Sequence, residues 1–260
     1  MIDLKDYGFN RYFAESFEKY RRPDFEPARV SAEYRQAYEL ITRHGGLNAK
    51  VSGKFRFNAA GTGDFPAVGD WVAAELRPDE SSATIHAVLP RKSKFSRKAA
   101  GARTDEQVVA ANFDYVFIMA SLNFDLNLRR LERYLTAAWE SGGSQVIILT
   151  KADLCNEISG IVRRVEEAAF GVPVHAISAV TGEGLDEIGG YMAVGKTIVF
   201  LGSSGVGKST LLNRFAGEKI MRVKDIREDD SKGRHTTTHR QLILLSSGCM
   251  VIDTPGMREL

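Results

Sequence analysis

Residues 202–209 read Gly202-Ser203-Ser204-Gly205-Val206-Gly207-Lys208-Ser209, the G-x-x-x-x-G-K-S spacing of a phosphate-binding loop. The apolar run at 197–201 predicts a strand before this phosphate loop, and the sequence of 209–215 predicts a helix after it. Strand, glycine-rich loop and helix in this order form the context in which the motif binds nucleotides. The segment therefore predicts a nucleotide site in preference to a glycine-rich turn that binds nothing.

The residue types of the phosphate loop fit a nucleotide bound together with Mg²⁺. Glycines allow backbone N–H groups to wrap the phosphates, and the helix N-terminus adds partial positive charge. We expect Lys208 to reach the β and γ phosphates and Ser209 to bind Mg²⁺. The residues predicted to contact the nucleotide in this segment are Gly202, Ser203, Ser204, Gly205, Val206, Gly207, Lys208, Ser209 and Thr210.

Alternating strands and helices surround the phosphate loop and predict an α/β sheet. Helical periodicity at 127–140, 158–170 and 185–192 separates several of the apolar segments. The predicted strands are 114–120, 145–149, 173–177, 197–201, 241–245 and 249–252. Ser246-Ser247-Gly248 predicts a hairpin turn before the last of them. We expect a six-stranded, mostly parallel sheet.

The segment Thr150-Lys151-Ala152-Asp153, here called the base loop, follows a predicted strand and indicates which base is bound. The carboxylate of Asp153 can accept two hydrogen bonds, from the N1–H and the exocyclic amine of guanine. Adenine offers no such pair of donors at that edge, so guanine is favoured. We expect Thr150 to contribute to the base contact, Lys151 to lie along the base or the phosphate loop, and Ser178-Ala179 to place a backbone N–H on the guanine O6.

Asp253-Thr254-Pro255-Gly256 follows the last predicted strand. At that strand end the carboxylate of Asp253 can hold an Mg²⁺-bound water, and the N–H of Gly256 can face the γ phosphate. This D-x-x-G pattern is weak evidence alone. It gains weight because the phosphate loop and the base loop also follow predicted strands.

The N-terminal part of the chain has a different pattern. Short strands predicted at 29–34, 38–42, 48–53, 70–76 and 83–89, separated by Gly, Asp and Pro, favour a small antiparallel barrel. An oligonucleotide-binding (OB) barrel is the first choice and an SH3-like barrel the alternative. We predict an N-terminal arm at 1–25, the barrel at 26–98 and a nucleotide-binding domain at 99–260.

The chain carries 35 Lys and Arg against 33 Asp and Glu, a net charge of +2. The positive excess lies in residues 1–105, with 18 basic and 14 acidic side chains. Residues 91–103, here called the basic strip, hold six basic residues, one aromatic ring and no acid. The strip is interpreted either as a solvated linker or as a segment that contacts nucleic acid.

The order of the motifs along the chain resembles that of a known protein family. Base loop, Ser178-Ala179, phosphate loop, the segment Gly233-Arg234-His235-Thr236-Thr237-Thr238 and D-T-P-G reverse the halves of an ordinary small GTPase. This order, with a barrel in front, resembles the ribosome small-subunit-dependent GTPase family (RsgA), whose members are circularly permuted GTPases. The resemblance runs from Ala28 to Leu260. Thr150 departs from it, because the family usually has Asn there, and the family's C-terminal zinc domain has no counterpart in the chain.

The polar segment at 229–239 lies where switch I, the loop that contacts the γ phosphate and Mg²⁺, belongs. Of Thr236 and Thr237 we favour Thr237 as the Mg²⁺ ligand. Met257 directly follows Gly256, and a thioether cannot orient the attacking water, so His235 is the candidate for that task. The alternative for His235 is a solvated loop histidine. Arg234 is assigned either to transition-state charge or to RNA.

The resemblance implies a GTP hydrolase that uses Mg²⁺, binds the small (30S) ribosomal subunit and 16S rRNA, and acts late in subunit maturation. Zinc is expected only in the missing C-terminal domain. A GTP-dependent RNA-binding module with negligible turnover is the alternative, and a P-loop ATPase is the third interpretation. No apolar run is long enough to cross a bilayer, and no signal peptide is evident. We expect a monomer in the cytoplasm without membrane contact.

Overall fold

The fold is described from a computed structural model, for residues 1–34, 37–98, 106–122, 126–217 and 240–253. Before the barrel, the arm forms a 3₁₀ turn, Leu4–Tyr7, and the helix α1, Arg11–Phe17. The Asn10 side chain caps α1 by accepting a hydrogen bond from the Tyr12 N–H at 3.1 Å. α1 buries Phe13 and Phe17 against Trp71 and Leu89 of the barrel. The arm therefore covers one side of the barrel.

Five strands close into the predicted barrel. Their bounds are β1 Phe25–Tyr34, β2 Ala37–Thr42, β3 Gly45–Val51, β4 Trp71–Arg77 and β5 Ser82–Val88, with helix α2 Gly53–Asn58 between β3 and β4. The order β1-β2-β3-β5-β4 is closed by pairing of β4 with β1, and β3–β5 is its parallel pair. Alternate residues such as Val30, Leu40 and Ile85 fill the interior. The expectation of a closed five-stranded barrel is confirmed, and the strand order is consistent with an OB-like domain.

A hairpin that the sequence did not predict follows the barrel. Its strands are β6, Lys94–Lys98, and β7, Glu106–Ala111, paired antiparallel. The linker interpretation of the basic strip is therefore wrong for 94–98, because these residues make ladder hydrogen bonds. Phe95 turns inward and stacks on Phe113 at 5.0 Å between ring centroids. The predicted domain boundary between residues 98 and 99 falls between these two strands.

The remaining strands build the α/β sheet. Their bounds are β8 Tyr115–Ser121, β9 Ser144–Thr150, β10 Val174–Ala176, β11 Thr197–Gly202, β12 Arg240–Leu244 and β13 Met250–Asp253. Within the described residues the order is β10-β9-β8-β11-β13-β12, and every neighbouring pair is parallel except β13–β12. The carboxyl ends of the parallel strands consequently meet at one edge, here called the nucleotide edge.

Helices cover both faces of this sheet. Their bounds are α3 Leu128–Ser141, α4 Ile158–Ala168, α5 Leu185–Gly189 and α6 Lys208–Ala216. α3 and α4 pack on Val116 and Ile118 of β8, while α5 and α6 pack on the face that carries Phe117 and Met119. Each of these large side chains stabilises the fold by about 1.5–3 kcal/mol through burial. No helix in the described part of the chain is long and apolar enough to cross a membrane.

The barrel and the α/β sheet are joined strand to strand. The first half of β1 pairs with β4, and its second half pairs with β12, through Ala32–Gln241 and Glu33–Arg240. A β-bulge between Val30 and Ala32 separates the two halves and redirects the strand. Eleven described strands thus form one continuous sheet, and we call the β1–β12 contact the junction.

Candidate nucleotide site

The phosphate loop has the predicted strand-loop-helix geometry. All six residues of β11 are buried, and the strand ends at Gly202, whose φ is +154°. A Cβ at Gly202 would lie 2.7 Å from the Met119 carbonyl oxygen, so only glycine fits there. Gly207, with φ +103°, precedes α6 in the left-handed region that other residues disfavour. The sequence folds this way because glycine stands at both positions.

The lysine of the motif lies against the loop it serves. The Nζ of Lys208 donates to the carbonyl oxygens of Gly202 and Ser203, the latter at 2.8 Å. Because these acceptors belong to the loop backbone, the ammonium group is held where the loop would wrap a phosphate. Ser209, the next residue of α6, is half-buried in the first turn. The arrangement fits a bound anion with a hydroxyl beside it.

The base loop is tied to the phosphate loop through Thr150. This side chain is buried at the end of β9, and its Oγ1 donates to the carbonyl oxygen of Val206 at 2.6 Å. Oγ1 also lies 3.3 Å from the Ala120 carbonyl oxygen. The sequence assigned Thr150 to the base. The structure places its hydroxyl on the protein backbone, where it links the two loops.

Asp153 is oriented by a second buried hydroxyl. Ser178 is fully buried, and its Oγ donates to Asp153 Oδ1 at 2.6 Å. The Thr181 N–H donates to Ser178 Oγ at 3.1 Å, which fixes the hydroxyl for its own donation. Lys151 adopts φ +61°, and the Ala152 N–H donates to the Ile177 carbonyl at 3.0 Å. The base loop and residues 177–181 therefore form one unit.

Sequence reasoning placed Ser178 at the site for its backbone and missed its side chain. The contact joins residues 25 positions apart, and no local pattern encodes it. A serine directly after an apolar strand was the available signal. Ala179 follows Ser178 and is half-buried beside the unit.

Asp253 ends β13 at the nucleotide edge. β13 runs parallel to β11, with Val199 opposite Ile252, so Asp253 and Gly202 end neighbouring strands. Asp253 also pairs with Gln241 of β12. Among the predicted Mg²⁺ ligands, the described residues are Ser209 and Asp253. Arg234, His235, Thr236, Thr237, Gly256 and Met257 lie outside the described residues.

The candidate metal-ligand atoms that the structure describes at this site are oxygen atoms. A hydroxyl and a carboxylate suit Mg²⁺, which takes few protein ligands and completes its shell with water and substrate phosphate oxygens. No group of three or more His, Cys, Asp or Glu among the described residues is placed to hold a metal ion. The chemistry of Ser209 and Asp253 therefore fits Mg²⁺ held jointly by protein and nucleotide.

The basic strip contains an arginine that cannot serve as an exposed cation. The Nη2 of Arg91 donates to Asp70 Oδ2 at 2.7 Å, and further donations reach the Gly63 and Phe65 carbonyl oxygens. Asp70 is fully buried. Burial alone would lower the pKa of Arg91, but the hydrogen bonds and charge of Asp70 outweigh it and raise that pKa. Arg91 belongs to the barrel's internal structure, and its assignment to a nucleic-acid contact is corrected.

Other strip cations have partners at the surface. Lys94 pairs with Glu106 at 2.8 Å, and Arg97 donates to the Gln107 side chain at 3.1 and 3.2 Å. Lys92 lies over the Tyr12 and Phe13 rings of the arm, at 4.9 and 5.0 Å from their centroids. These contacts leave the side chains exposed and able to exchange partners.

A cleft of about 910 Å³, here called the arm cleft, opens between the arm, α2 and the C-terminal end of α3. Its lining combines exposed cations with aromatic rings, the composition of sites that track single-stranded nucleic acid. Asp64 and Glu140 also line it. The aromatic rings that line the arm cleft are Tyr20, Phe25 and Phe55. The lining cations for which no ion pair is described above are Lys19, Arg22, Lys54 and Lys92.

Comparison with known proteins places these features in a family. A family model described as RsgA GTPase matches residues 88–260. A relative from Lactiplantibacillus plantarum, named small ribosomal subunit biogenesis GTPase RsgA 2, is 52% identical over 232 residues, which are 89% of this chain and 65% of that protein. A relative from Opitutus terrae, named small ribosomal subunit biogenesis GTPase RsgA, is 41% identical over 267 residues, covering 100% of this chain and 73% of the relative.

Solved structures share the fold. The crystal structure of YjeQ from Thermotoga maritima has a TM-score of 0.68 at 28% sequence identity, covering 91% of this chain and 77% of that chain. YloQ, described as a circularly permuted GTPase, has a TM-score of 0.65 at 22% identity, with 92% and 75% coverage. The chain spans 65% to 73% of the length of the relatives named above.

Proposed function

Because this chain belongs to the RsgA GTPase family, we propose that it hydrolyses GTP and acts in the biogenesis of the small ribosomal subunit. The observation that carries the proposal is the hydrogen bond from Thr150 Oγ1 to the Val206 carbonyl. This contact brings the base loop and the phosphate loop to one edge of one sheet. The order of motifs along the chain is unusual, but a site assembled from loops requires only their positions in space.

Guanine selectivity is assigned to Asp153. Its carboxylate is held by Ser178 before any ligand arrives, so little ordering is needed when N1–H and the exocyclic amine bind. A site built to accept two hydrogen bonds rejects a base that lacks both donors. ATP should therefore compete poorly with GTP.

Phosphate and metal binding are assigned to α6 and β13. Lys208 exchanges its bonds to the Gly202 and Ser203 carbonyls for phosphate oxygens, and Ser209 and Asp253 hold Mg²⁺, with Thr237 as a further ligand. Bound Mg²⁺ neutralises charge that develops on the phosphate oxygens.

The role of orienting the attacking water is assigned to His235, because the thioether of Met257 cannot orient it. A hydroxyl or imidazole within hydrogen-bond reach of that water is what the reaction requires. His235 lies in the polar segment predicted as switch I.

Binding to 16S rRNA within the small subunit is assigned to the barrel side. The arm cleft offers cations and rings, and RNA affinity is dominated by phosphate contacts and by stacking on unpaired bases. We propose the division into an arm at 1–25, a barrel at 26–98 and a GTPase domain at 99–260, with the β6–β7 hairpin bridging the last two.

The test is phosphate release from GTP, measured with and without purified small subunits at fixed Mg²⁺, with ATP as competitor. We expect turnover that rises with subunits and resists ATP. Lys208→Ala, which removes a phosphate contact, is the inactive control. Tight GTP binding without turnover in either condition would replace the proposal by a GTP-dependent RNA-binding module. Equal competition by ATP would overturn the guanine assignment.

A further inference from the structure

At the junction, the barrel strand β1 lies two strands away from the predicted Mg²⁺ ligand Asp253. Ala32 of β1 lies opposite Gln241 of β12, and Gln241 lies opposite Asp253 of β13. The three residues therefore form one row across neighbouring strands at the nucleotide edge. Strands pair at about 4.8 Å spacing, so the row spans about 10 Å.

An ion pair between Glu33 and Arg240 lies next to this row, one residue further along β1 and β12. Arg240 Nη1 lies 3.0 Å from Glu33 Oε2, and the two side chains are only 12% and 25% exposed. Burial raises the pKa of Glu33, while the charges of Arg240 and Arg97 oppose that shift. Because both partners are largely desolvated, removing one leaves the other charge poorly compensated. Arg240 is also the first described residue after 218–239, the region that contains the predicted switch I.

The same barrel strand reaches the opposite end of β13. Arg29 of β1 is buried, and its guanidinium donates to Thr197 Oγ1 at 2.9 Å and lies 3.3 Å from Met250 Sδ. Thr197 and Met250 are the first residues of β11 and β13. Further donations reach the Tyr7 carbonyl of the arm and the Gly69 carbonyl of the barrel. β1 thus contacts the Met250 end of β13 directly and the Asp253 end through β12.

We propose that the Glu33–Arg240 ion pair couples small-subunit binding at the barrel to GTP hydrolysis, with Glu33 transmitting movement of the barrel to β12. The inference rests on the proposed function, since it assumes subunit-stimulated GTP turnover. Glu33 itself touches no nucleotide. It fixes Arg240, so a shift of the barrel moves β12 and, through the Gln241–Asp253 pairing, the metal-binding end of β13.

A purely structural ion pair makes a different prediction. It would lower the free energy of unfolding and leave the ratio of stimulated to intrinsic turnover unchanged. A coupling pair changes that ratio. Coupling free energies between protein sites typically correspond to about 5-fold to 150-fold effects.

The experiment compares Glu33→Gln with Glu26→Gln in the full chain. Glu26 lies on the same strand with 27% exposure and contacts Arg43 at 2.9 Å and His44 at 3.2 Å within the barrel, so it is a control carboxylate away from the junction. GTP turnover is measured with and without small subunits, and subunit affinity is measured by cosedimentation. We expect Glu33→Gln to reduce stimulation about tenfold, with intrinsic turnover, GTP affinity and subunit affinity unchanged and the control like the parent.

The charge-swapped pair Glu33→Arg with Arg240→Glu should recover stimulation that each single reversal loses. Unchanged stimulation in Glu33→Gln would overturn the inference, as would equal loss in the control or a parallel loss of intrinsic turnover. Loss of subunit binding in Glu33→Gln would assign the residue to docking instead. A parent protein that fails to hydrolyse GTP with or without subunits would refute the proposed function, a result separate from all of these.

Discussion

Replacing Thr150 by Val tests how the nucleotide site is held together. The change removes one hydroxyl and keeps the branched shape, so it leaves the Val206 carbonyl without the donor that now lies 2.6 Å away. A buried acceptor that loses its donor costs about 1–3 kcal/mol. In the nucleotide-free variant the two loops can relax apart to avoid this cost, but GTP binding must bring them together again.

The cost should therefore appear mainly in GTP affinity. At about 1.4 kcal/mol per tenfold change in dissociation constant, it corresponds to a loss of about 5-fold to 150-fold. The nucleotide-free protein should lose no more than about 4 °C in melting temperature, because each kcal/mol shifts a domain of this size by about 2–4 °C. Fluorescence titration with a labelled GTP analogue and thermal unfolding, with and without GTP, measure the two quantities.

Two further variants control for shape and chemistry. Thr150→Ser keeps the hydroxyl and loses a methyl group, so GTP affinity should stay near that of the parent. Thr150→Asn introduces an amide donor that can reach the same carbonyl, and it should also retain affinity. If Thr150→Val binds GTP as tightly as Thr150→Ser, the hydroxyl does not organise the site and the reasoning fails.

Four other substitutions test separate assignments. Asp153→Asn should weaken GTP binding and improve binding of xanthosine triphosphate, measured by competition titration; unchanged selectivity would remove the base assignment. His235→Ala should lower kcat about 10²-fold at nearly constant GTP affinity, and an unaltered kcat would make it a solvated loop residue. Arg91→Ala should destabilise the protein to urea by about 3–5 kcal/mol by leaving buried Asp70 unpaired, whereas Arg97→Ala should cost under about 1 kcal/mol; similar losses would contradict the different burial of the two arginines.

Local patterns predicted the strands of the barrel and of the α/β part of the sheet, because alternation of apolar residues and glycine punctuation are encoded within a few residues. The phosphate loop was predicted for the same reason, because Gly202, Gly207 and Lys208 lie close together in the sequence. The buried partner of Arg91 and the backbone partner of Thr150 were not predicted. The local sequence shows Arg91 only as one more cation, because Asp70 is brought to it by the fold. The hydrogen bond from Thr150 to the Val206 carbonyl likewise depends on the assembled sheet.

The β6–β7 hairpin was missed for a related reason. Lys94-Phe95-Ser96-Arg97-Lys98 is highly charged, which obscured the inward-facing Phe95 that a partly exposed strand requires. The junction between β1 and β12 had no sequence signal, because backbone pairing between distant strands depends on the assembled sheet.

The junction also sets the order in which the molecule can be completed during synthesis. Glu33 and Arg240 are 207 residues apart, so the outer edge of β1 at Ala32 and Glu33 emerges from the ribosome long before β12 exists to pair with it. Until then a barrel already closed by β4 presents an open backbone edge, the kind of surface that promotes pairing with other chains. Contacts this distant in sequence form slowly, because a long loop must close first. The nascent barrel therefore exposes this edge until β12 is synthesised, and we expect the unfinished chain to associate with other chains through it.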